Sequence, residues 1–193
     1  GAEITMEVDP ATFSEDNLKE YLEIGINRFS LGGQSFDDRI LDLIGRKHNS
    51  SQLIEACKWV KNLFQKGMLR SWSLDLIKNL PGTDLCKWSR ELEKAVQTEA
   101  PHLSIYDLTI EPDTVFGRKH KQGKLNIPID SLAQKIDLET NKYLLSKGFS
   151  RYEISSYSLP GHASRHNRMY WSGSGWWGFG MGATSSPWGE RFS

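Results

Sequence analysis

The sequence has no excess charge, no long apolar run and few cysteines, and each of these absences excludes a class of protein. Its 24 Lys and Arg residues balance its 24 Asp and Glu residues, so it has no basic field of the kind that binds nucleic acid. No apolar run approaches the ~20 residues that a membrane-spanning helix needs, and no signal-peptide pattern opens the chain. We therefore expect a soluble protein that binds neither nucleic acid nor membrane and recognises its partner locally.

The two cysteines, Cys57 and Cys86, fall in segments with helical periodicity, and their spacing matches no metal-binding or redox motif. Reduced thiols are therefore expected. They are typical of a cytoplasmic protein or, in a eukaryote, of a protein in the plastid stroma or the mitochondrial matrix. The chain opens directly into a predicted strand without an initiating methionine, so we expect the domain to begin upstream of Gly1.

Strand-like and helix-like segments alternate along the chain. The patterns predict strands at 4–8, 27–33, 71–77 and 103–108, helices at 14–24, 38–44, 51–64, 85–96 and 132–145, and a polar loop at 118–128. This alternation favours parallel strands joined by right-handed crossovers. With 193 residues and 38% hydrophobic content, the chain is long enough to form a domain with a real core.

The first three strands alternate apolar with small or polar side chains. In the third strand Trp72, Leu74 and Leu76 alternate with Ser73 and Asp75. A doubly wound sheet is covered on both faces and would be apolar on both. The pattern therefore favours an α/β fold of another kind, a partial βα-barrel whose parallel strands are covered by outer helices and whose interior is open to a ligand. In the fourth strand the inward-facing pair is either Ser104 and Tyr106 or Leu103 and Ile105.

Three polar residues, Glu7, Gln34 and Asp75, stand late in their strands. Parallel strands bring their carboxyl ends to one edge, so these residues would converge at the barrel mouth, where barrel enzymes place their sites. The alternative is that each caps a neighbouring loop. Arg46 follows Gly45 beyond a short helix and could bind a carboxylate bidentately, although a lone cation there is more often a surface residue.

The most unusual composition lies at 151–171, where the motif His166-Asn167-x-x-Tyr170-Trp171 ends the segment. An imidazole, an amide and two aromatic rings so close together can ligate a metal or hold a flat ring. The alternative is a satisfied histidine at a strand end beside two core aromatics. The aromatic and glycine-rich tail, 170–188, is expected to form a pair of packed strands that close the sheet edge.

Six motifs occur in order: Glu7-Val-Asp-Pro, Gly32-x-Gln34-Ser-Phe, Gly45-Arg46-x-His48, Asp75-Leu-Ile-x-x-Leu-Pro-Gly, Ser104-x-Tyr106-x-Leu108-Thr-Ile-Glu-Pro-x-Thr114-x-Phe-Gly and His166-Asn-x-x-Tyr-Trp. Each motif is weak alone, but the ordered set is specific and covers essentially the whole chain. The chain resembles the radical S-adenosylmethionine (SAM) family of oxygen-independent coproporphyrinogen III oxidases, and specifically its heme-chaperone-like branch. By this resemblance 1–149 is a partial radical SAM βα-barrel, and 150–193 begins a C-terminal heme-handling extension.

The resemblance also implies binding sites and partners. The positions that bind SAM are matched by Glu7, Gln34, Arg46 and Asp75, with Thr109 near the adenine. The heme candidates are His166, Asn167, Tyr170 and Trp171, of which the His166 imidazole would be an axial ligand to heme iron. The implied partners are heme or a porphyrin and a protein that accepts heme.

The family's CxxxCxxC motif, which holds a [4Fe-4S] cluster, lies upstream of the matched region. Cys57 and Cys86 cannot supply three thiolates, so we expect no radical chemistry from this chain by itself. Three functions stay open: a heme chaperone that binds heme and SAM, an oxidase that decarboxylates coproporphyrinogen III through a 5′-deoxyadenosyl radical, and a cluster-free binding module. The His166 motif favours the first because, by the resemblance, it marks the heme-chaperone-like branch.

Three departures from the family pattern carry expectations of their own. Gly33 stands where a bulkier aliphatic residue is usual, which predicts looser local packing. Asn79 stands where glycine is usual, so the turn there is expected to differ. Thr184 stands where many chaperone-like members have histidine, which leaves His166 as the better ligand.

Overall fold

Strands and helices alternate through most of the chain, and the computed structural model describes all residues, 1–193. The elements are β1 (Thr5–Val8), α1 (Glu15–Glu23), β2 (Arg28–Gln34), α2 (Asp38–Leu43), α3 (Ser50–Gln65), β3 (Ser71–Lys78), α4 (Leu85–Gln97), β4 (His102–Asp107), α5 (Val115–Lys121), α6 (Asp130–Ser146), β5 (Ser150–Arg151), β6 (Ser156–Ser158) and α7 (Arg165–Trp171). None of the helices combines the length and apolarity needed to cross a bilayer.

The predicted strands and helices up to 145 are confirmed to within a few residues, but the polar loop at 118–128 was predicted wrongly in part. Its first residues belong to α5, which begins after Thr114. The Thr114 hydroxyl accepts a hydrogen bond from the backbone N–H of Gly117 at 3.0 Å and so caps the helix start. The cap at Thr114, which lies before the predicted loop, therefore starts a helix that includes the first residues of that loop.

The six strands form one open sheet in the order β1-β2-β3-β4-β6-β5. The first four strands are parallel to one another. The sheet continues with β6, which is antiparallel to β4, and then with β5, which is antiparallel to β6. The parallel strands follow one another in chain order without the reversal that defines a doubly wound sheet. A sector of a βα-barrel is therefore confirmed, and it is not closed.

The apolar face of the sheet forms the core against the helices. Phe29, Leu31, Trp72 and Leu74 are completely buried there, packed with residues of α1, α3, α4 and α6. The Trp88 indole N–H of α4 donates to the Thr140 hydroxyl of α6 at 2.7 Å, so even the polar atom of this buried ring has a partner. The opposite face of the sheet is left to small and polar side chains.

The register of β4 decides which of its residues face the barrel interior. Ser104 pairs with Asp75 and therefore lies on the polar face, with Tyr106 on the same side of the strand. Leu103 and Ile105 are buried in the core. Of the two predicted alternatives, the first is therefore found.

Gly33 does not loosen the packing, and that expectation was wrong. A Cβ atom at Gly33 would lie 2.8 Å from Leu74 Cδ1 and 3.0 Å from Leu53 Cδ1, so these buried leucines already fill the space. Asn79 adopts the left-handed conformation, with φ of 61°, that glycine usually supplies. Its Nδ2 donates to Asp107 Oδ1 at 2.8 Å, which ties the turn to the end of β4.

The predicted pair of tail strands closing the sheet edge is wrong, because β5 occupies that edge. The tail instead contains two isolated bridges, between Trp176 and Ser186 and between Ser185 and Phe192. Its many glycines with positive φ turn the chain too often for a strand to extend; they include Gly173, Gly180, Gly182 and Gly189. Several of its rings are exposed to solvent; Phe179 is 89% and Trp188 is 78% exposed.

Candidate functional site

The polar face of the sheet is built around the carboxylate of Asp75. Ser30 donates to Asp75 Oδ2 at 2.9 Å, and the Ser30 and Ser73 hydroxyl oxygens are 2.7 Å apart. The other carboxylate oxygen, Oδ1, is buried without a hydrogen-bond partner. Burial raises the pKa of Asp75 to about 6, although the nearby Ser104 and Ser30 hydroxyls lower it. A buried carboxylate oxygen with no partner can accept a hydrogen bond from a ligand hydroxyl or ammonium group.

Glu7 lies on the same face, at the exposed edge formed by β1. It pairs in register with Ser30, which itself bonds Asp75. Apart from burial, the negative charge of Glu7 contributes to the raised pKa of Asp75. The structure therefore places these two predicted site residues as neighbouring acidic groups on the polar face of the sheet, Glu7 exposed and Asp75 half-buried.

Gln34 and Arg46 meet above the backbone of Gly32. Arg46 Nη2 donates to the Gly32 carbonyl at 3.0 Å and also pairs with Asp9. A Cβ atom at Gly32 would lie 2.6 Å from Asp9 Oδ1, 3.0 Å from Arg46 Nη2 and 3.2 Å from Gln34 Nε2. Only glycine therefore leaves room for this group of side chains. Sequence reasoning missed Asp9, whose only signal was its place in the Glu7-Val-Asp-Pro motif.

The segment after Gln34 is fixed by a residue that sequence reasoning also missed. Glu91 of α4 accepts hydrogen bonds from the Phe36 backbone N–H at 2.7 Å and from the Ser35 hydroxyl at 3.0 Å. Burial raises the pKa of Glu91, while these two hydrogen bonds lower it. Because Gln34 has φ of 65°, the chain turns sharply here, and Glu91 holds the turn from the helix side.

Thr109 is exposed and lies apart from the Asp75 group. It lines a mostly apolar pocket of about 340 Å³ just beyond the carboxyl ends of β3 and β4; the pocket is also lined by Ile44, Ile77, Leu80, Leu108, Glu111, Thr114, Val115 and Phe116. Ile44 comes two residues before Arg46, so the pocket adjoins the segment that carries the arginine. An apolar wall of this kind is suited to one face of a flat heterocycle.

His166 does not lie at a strand end beside core aromatics, and that alternative was wrong. It is the second residue of α7, a helix with no buried residue. Its exposed ring contacts the ring of Tyr170 edge to face with centroids 4.7 Å apart, and Tyr170 contacts Trp176 at 4.6 Å. Trp171 ends the helix and is exposed.

Asn167 points away from that exposed aromatic row. Its Nδ2 donates to the Ser156 hydroxyl at 3.4 Å, and its backbone N–H donates to the Ser164 hydroxyl at 3.2 Å, which caps the helix. The amide therefore attaches α7 to the sheet. No hydrogen bond joins His166, Asn167, Tyr170 or Trp171 directly to Glu7, Gln34, Arg46 or Asp75. The partner of Asn167, Ser156, pairs in register with Ser104, which pairs with Asp75, so α7 is attached to the same face of the sheet.

A buried polar network, which sequence reasoning did not find, lies on the same polar face of the sheet. His102 Nε2 and the Tyr152 hydroxyl are hydrogen bonded at 2.7 Å, as are Ser71 Oγ and His162 Nδ1 at 3.0 Å. Burial lowers the pKa of His102 to about 3, so its ring is neutral. Arg28 is only 3% exposed, and its Nε and Nη2 have no partner.

The residues fit the implied ligands unequally. The unpartnered Asp75 oxygen and the close approach above Gly32 suit a zwitterion that carries hydroxyl groups, such as SAM. The exposed His166 imidazole beside two aromatic rings suits heme iron and its macrocycle. A [4Fe-4S] cluster does not fit, because burial raises the pKa of Cys57 to about 12 and no group of three or more His, Cys, Asp or Glu side chains is arranged to hold a metal ion.

Comparison with protein families shows the class of the chain. Residues 1–89 match the Radical SAM superfamily. Among solved structures, the chain superposes on coproporphyrinogen III oxidase (HemN) from Escherichia coli, a radical SAM enzyme, with a TM-score of 0.77 at 22% identity, covering 96% of this chain and 44% of that one. It also superposes on archaeal Elp3 from Methanocaldococcus infernus with a TM-score of 0.62 at 21% identity, covering 72% and 32%. At these identities the likeness shows the fold alone. Residues 1–89 are thus similar to a radical SAM domain, and the fold agrees with that similarity.

Curated relatives narrow the class further. The chain is 41% identical over 191 residues to the heme chaperone HemW of Synechocystis sp., covering 99% of this chain and 45% of the relative. It is 37% identical over 182 residues to HemW of Escherichia coli, covering 94% and 46%. The chain thus spans about half the length of the curated relatives it matches. Its resemblance to the heme-chaperone-like branch is confirmed.

Proposed function

We propose that this chain acts within a heme-chaperone-like radical SAM protein, in which α7 binds heme and the polar face of the sheet binds SAM. The observation that carries the proposal is the exposed imidazole of His166, in ring contact with Tyr170 on a helix that buries none of its residues. The relatives named as heme chaperones support it, because they match the chain almost from end to end. A protein that accepts the heme, and a reducing compartment, complete the proposal.

At the heme site, the imidazole of His166 would bind the heme iron, and Tyr170 and Trp171 would contact the macrocycle. Both rings are exposed on the same helix, so they can contact a large flat ligand without repacking of the core. Asn167 would act by attaching the helix to Ser156 rather than by touching heme. The exposed position of the site suits a ligand that is received and passed on.

At the SAM site, Asp75 and Glu7 would accept hydrogen bonds from the ammonium and ribose hydroxyl groups, and Gln34 would bind a neighbouring polar group. Arg46, held in place by Asp9, would bind the carboxylate. The pocket beside Thr109 would take the adenine. In this family SAM bound to a [4Fe-4S] cluster is a source of the 5′-deoxyadenosyl radical, and we propose that ligands outside 1–193 hold that cluster.

The first alternative is an oxygen-independent coproporphyrinogen III oxidase, and the second is a cluster-free binding module. The superposition on the oxidase HemN concerns the fold, so it is compatible with a chaperone and with an oxidase alike. What favours the chaperone is α7, whose exposed rings are unlike the enclosed pocket that chemistry on a porphyrin side chain requires.

Heme titration followed in the Soret band tests the proposal. We expect the protein to bind heme and His166→Ala to weaken binding by about tenfold or more, because the imidazole that would hold the iron is removed. His120→Ala is the matched control, since His120 is also an exposed histidine on a short helix. Equal affinity of wild type and His166→Ala would contradict the heme site.

A second experiment separates the chaperone from the alternatives. The complete protein, including the segment proposed to hold the cluster, is reconstituted anaerobically and incubated with reductant, SAM and coproporphyrinogen III, and 5′-deoxyadenosine and protoporphyrinogen are measured. Formation of both products would identify an oxidase. SAM binding or cleavage without decarboxylation supports the chaperone, and failure to assemble any cluster supports the cluster-free module.

A further inference from the structure

We propose that Glu3 is a positioning residue for α7 and sets the orientation of His166; this inference rests on the proposed heme site. Glu3 precedes β1 at the beginning of the chain. Its Oε1 accepts hydrogen bonds from the backbone N–H groups of Arg165 at 2.9 Å and His166 at 3.3 Å. One carboxylate oxygen therefore holds the first two residues of the helix that carries the heme candidates.

The helix needs such support from outside. It has seven residues and buries none of them, and an isolated helix of that length is not stable in water. The first N–H groups of any helix have no partner within it. Here the Ser164 hydroxyl accepts a hydrogen bond from the N–H of Asn167, and the Glu3 carboxylate accepts hydrogen bonds from the N–H groups of Arg165 and His166. The negative charge of Glu3 also interacts favourably with the helix dipole.

Two further hydrogen bonds from α7 side chains are also made by its N-terminal end. Arg165 Nη1 donates to the Gly1 carbonyl at 3.1 Å, and Asn167 Nδ2 donates to Ser156 at 3.4 Å. The helix is thus fastened at its beginning, while Tyr170 and Trp171 stay exposed at its end. Loss of the Glu3 contact would let the axis of α7 swing and carry the imidazole with it.

The negative charge of Glu3 also acts on the buried cation Arg28. Burial lowers the pKa of Arg28, and the negative charge of Glu3 is foremost among the groups that raise it again. Because the Arg28 guanidinium forms no hydrogen bond through Nε or Nη2, it needs this counter-charge. The Glu3 carboxylate thus acts electrostatically on a buried cation in β2 while its Oε1 holds the start of α7.

Amide hydrogen exchange in the heme-free protein, followed by NMR, tests the contact directly. In Glu3→Ala we expect the Arg165 and His166 amides to exchange about fivefold faster or more, because their acceptor is lost. Glu3→Gln keeps an acceptor oxygen and is expected to show a smaller increase. Glu23→Gln is the control, since Glu23 is exposed at the end of α1 and forms no side-chain hydrogen bond. Unchanged exchange in Glu3→Ala would overturn the proposal, whatever the heme results are.

Heme titration of the same variants tests the functional part. We expect Glu3→Ala to raise the Kd for heme severalfold and to alter the Soret band, with Glu3→Gln intermediate and Glu23→Gln like wild type. Faster exchange with an unchanged Kd and spectrum would overturn the positioning role. If wild type binds no heme, the proposed function fails, and the exchange data alone decide whether Glu3 holds α7.

Discussion

Gly33→Ala should destabilise the fold because its neighbours cannot move aside. The new Cβ would lie 2.8 Å from Leu74 Cδ1 and 3.0 and 3.2 Å from the Cδ atoms of Leu53. Both leucines are completely buried between β2, β3 and α3, so relief requires off-rotamer side chains or a backbone shift. Overpacking of this kind lowers the free energy of unfolding by about 1–3 kcal/mol. Replacing glycine also reduces the conformational freedom of the unfolded chain, which offsets about 0.4–1 kcal/mol of that loss.

Gly32→Ala is the matched comparison, one residue away in the same strand. Its Cβ would meet the ends of polar side chains, Asp9, Arg46 and Gln34, which can shift into solvent. The Asp9–Arg46 ion pair is partly exposed and contributes at most about 1 kcal/mol to stability. We therefore expect little change in stability but a loss of SAM affinity.

Urea denaturation of wild type and both variants measures the difference. The midpoint should fall in Gly33→Ala and stay near wild type in Gly32→Ala, with equal m-values. Leu53→Val lacks the two Cδ methyl groups that crowd the new Cβ, so its cost should be smaller in the Gly33→Ala background than in wild type. If Gly33→Ala is as stable as wild type, or if Gly32→Ala is the more damaging change, the argument from packing fails.

Two further predictions concern stability near the site. Asp75→Asn should stabilise the protein by on the order of 1–3 kcal/mol at pH 7.5 and by less at pH 4.5. The pKa of Asp75 is about 6 in the folded state and lies above its unfolded value, so the stability that protonated Asp75 contributes is full at low pH and is lost as the pH rises through 6. Urea midpoints at the two pH values give the comparison, and an equal gain at both would refute this prediction. Asn79→Ala should lower the stability of the fold by about 1–2 kcal/mol, because alanine resists the left-handed conformation and the hydrogen bond to Asp107 is lost. Asn79→Gly should lower it by less, because glycine adopts that conformation freely. If Asn79→Gly melts at a lower temperature than Asn79→Ala, backbone conformation does not have this role.

The sheet could be predicted from the sequence because its information is local. Apolar and polar residues alternate through β1, β2 and β3, and the core found in the structure follows that alternation. Even the open question in β4 reduced to a single register, which the pairing of Ser104 with Asp75 decides. The convergence of Glu7 and Asp75 on one face follows from the same alternation.

The parts that could not be predicted depend on contacts between distant segments. Nothing in the motif of α7 shows helical periodicity, because the helix buries no residue and its first amides are held by Glu3, 162 and 163 residues away in the sequence. Asp9 was missed for the same reason, since its partner Arg46 arrives from another element. In the tail, tryptophan and phenylalanine favour strands, but glycines with positive φ prevent them.

The contact between Glu3 and α7 also has a consequence for the order in which the chain folds during synthesis. Neighbouring parallel strands are close in the sequence, so the sheet can assemble progressively as each crossover leaves the ribosome. The helix at Arg165–Trp171 cannot be fixed until its own residues meet Glu3, which is synthesised 162 residues earlier. A product that stops before Arg165 would therefore hold all six strands of this sheet without α7, and it would lack the residues of the proposed heme site.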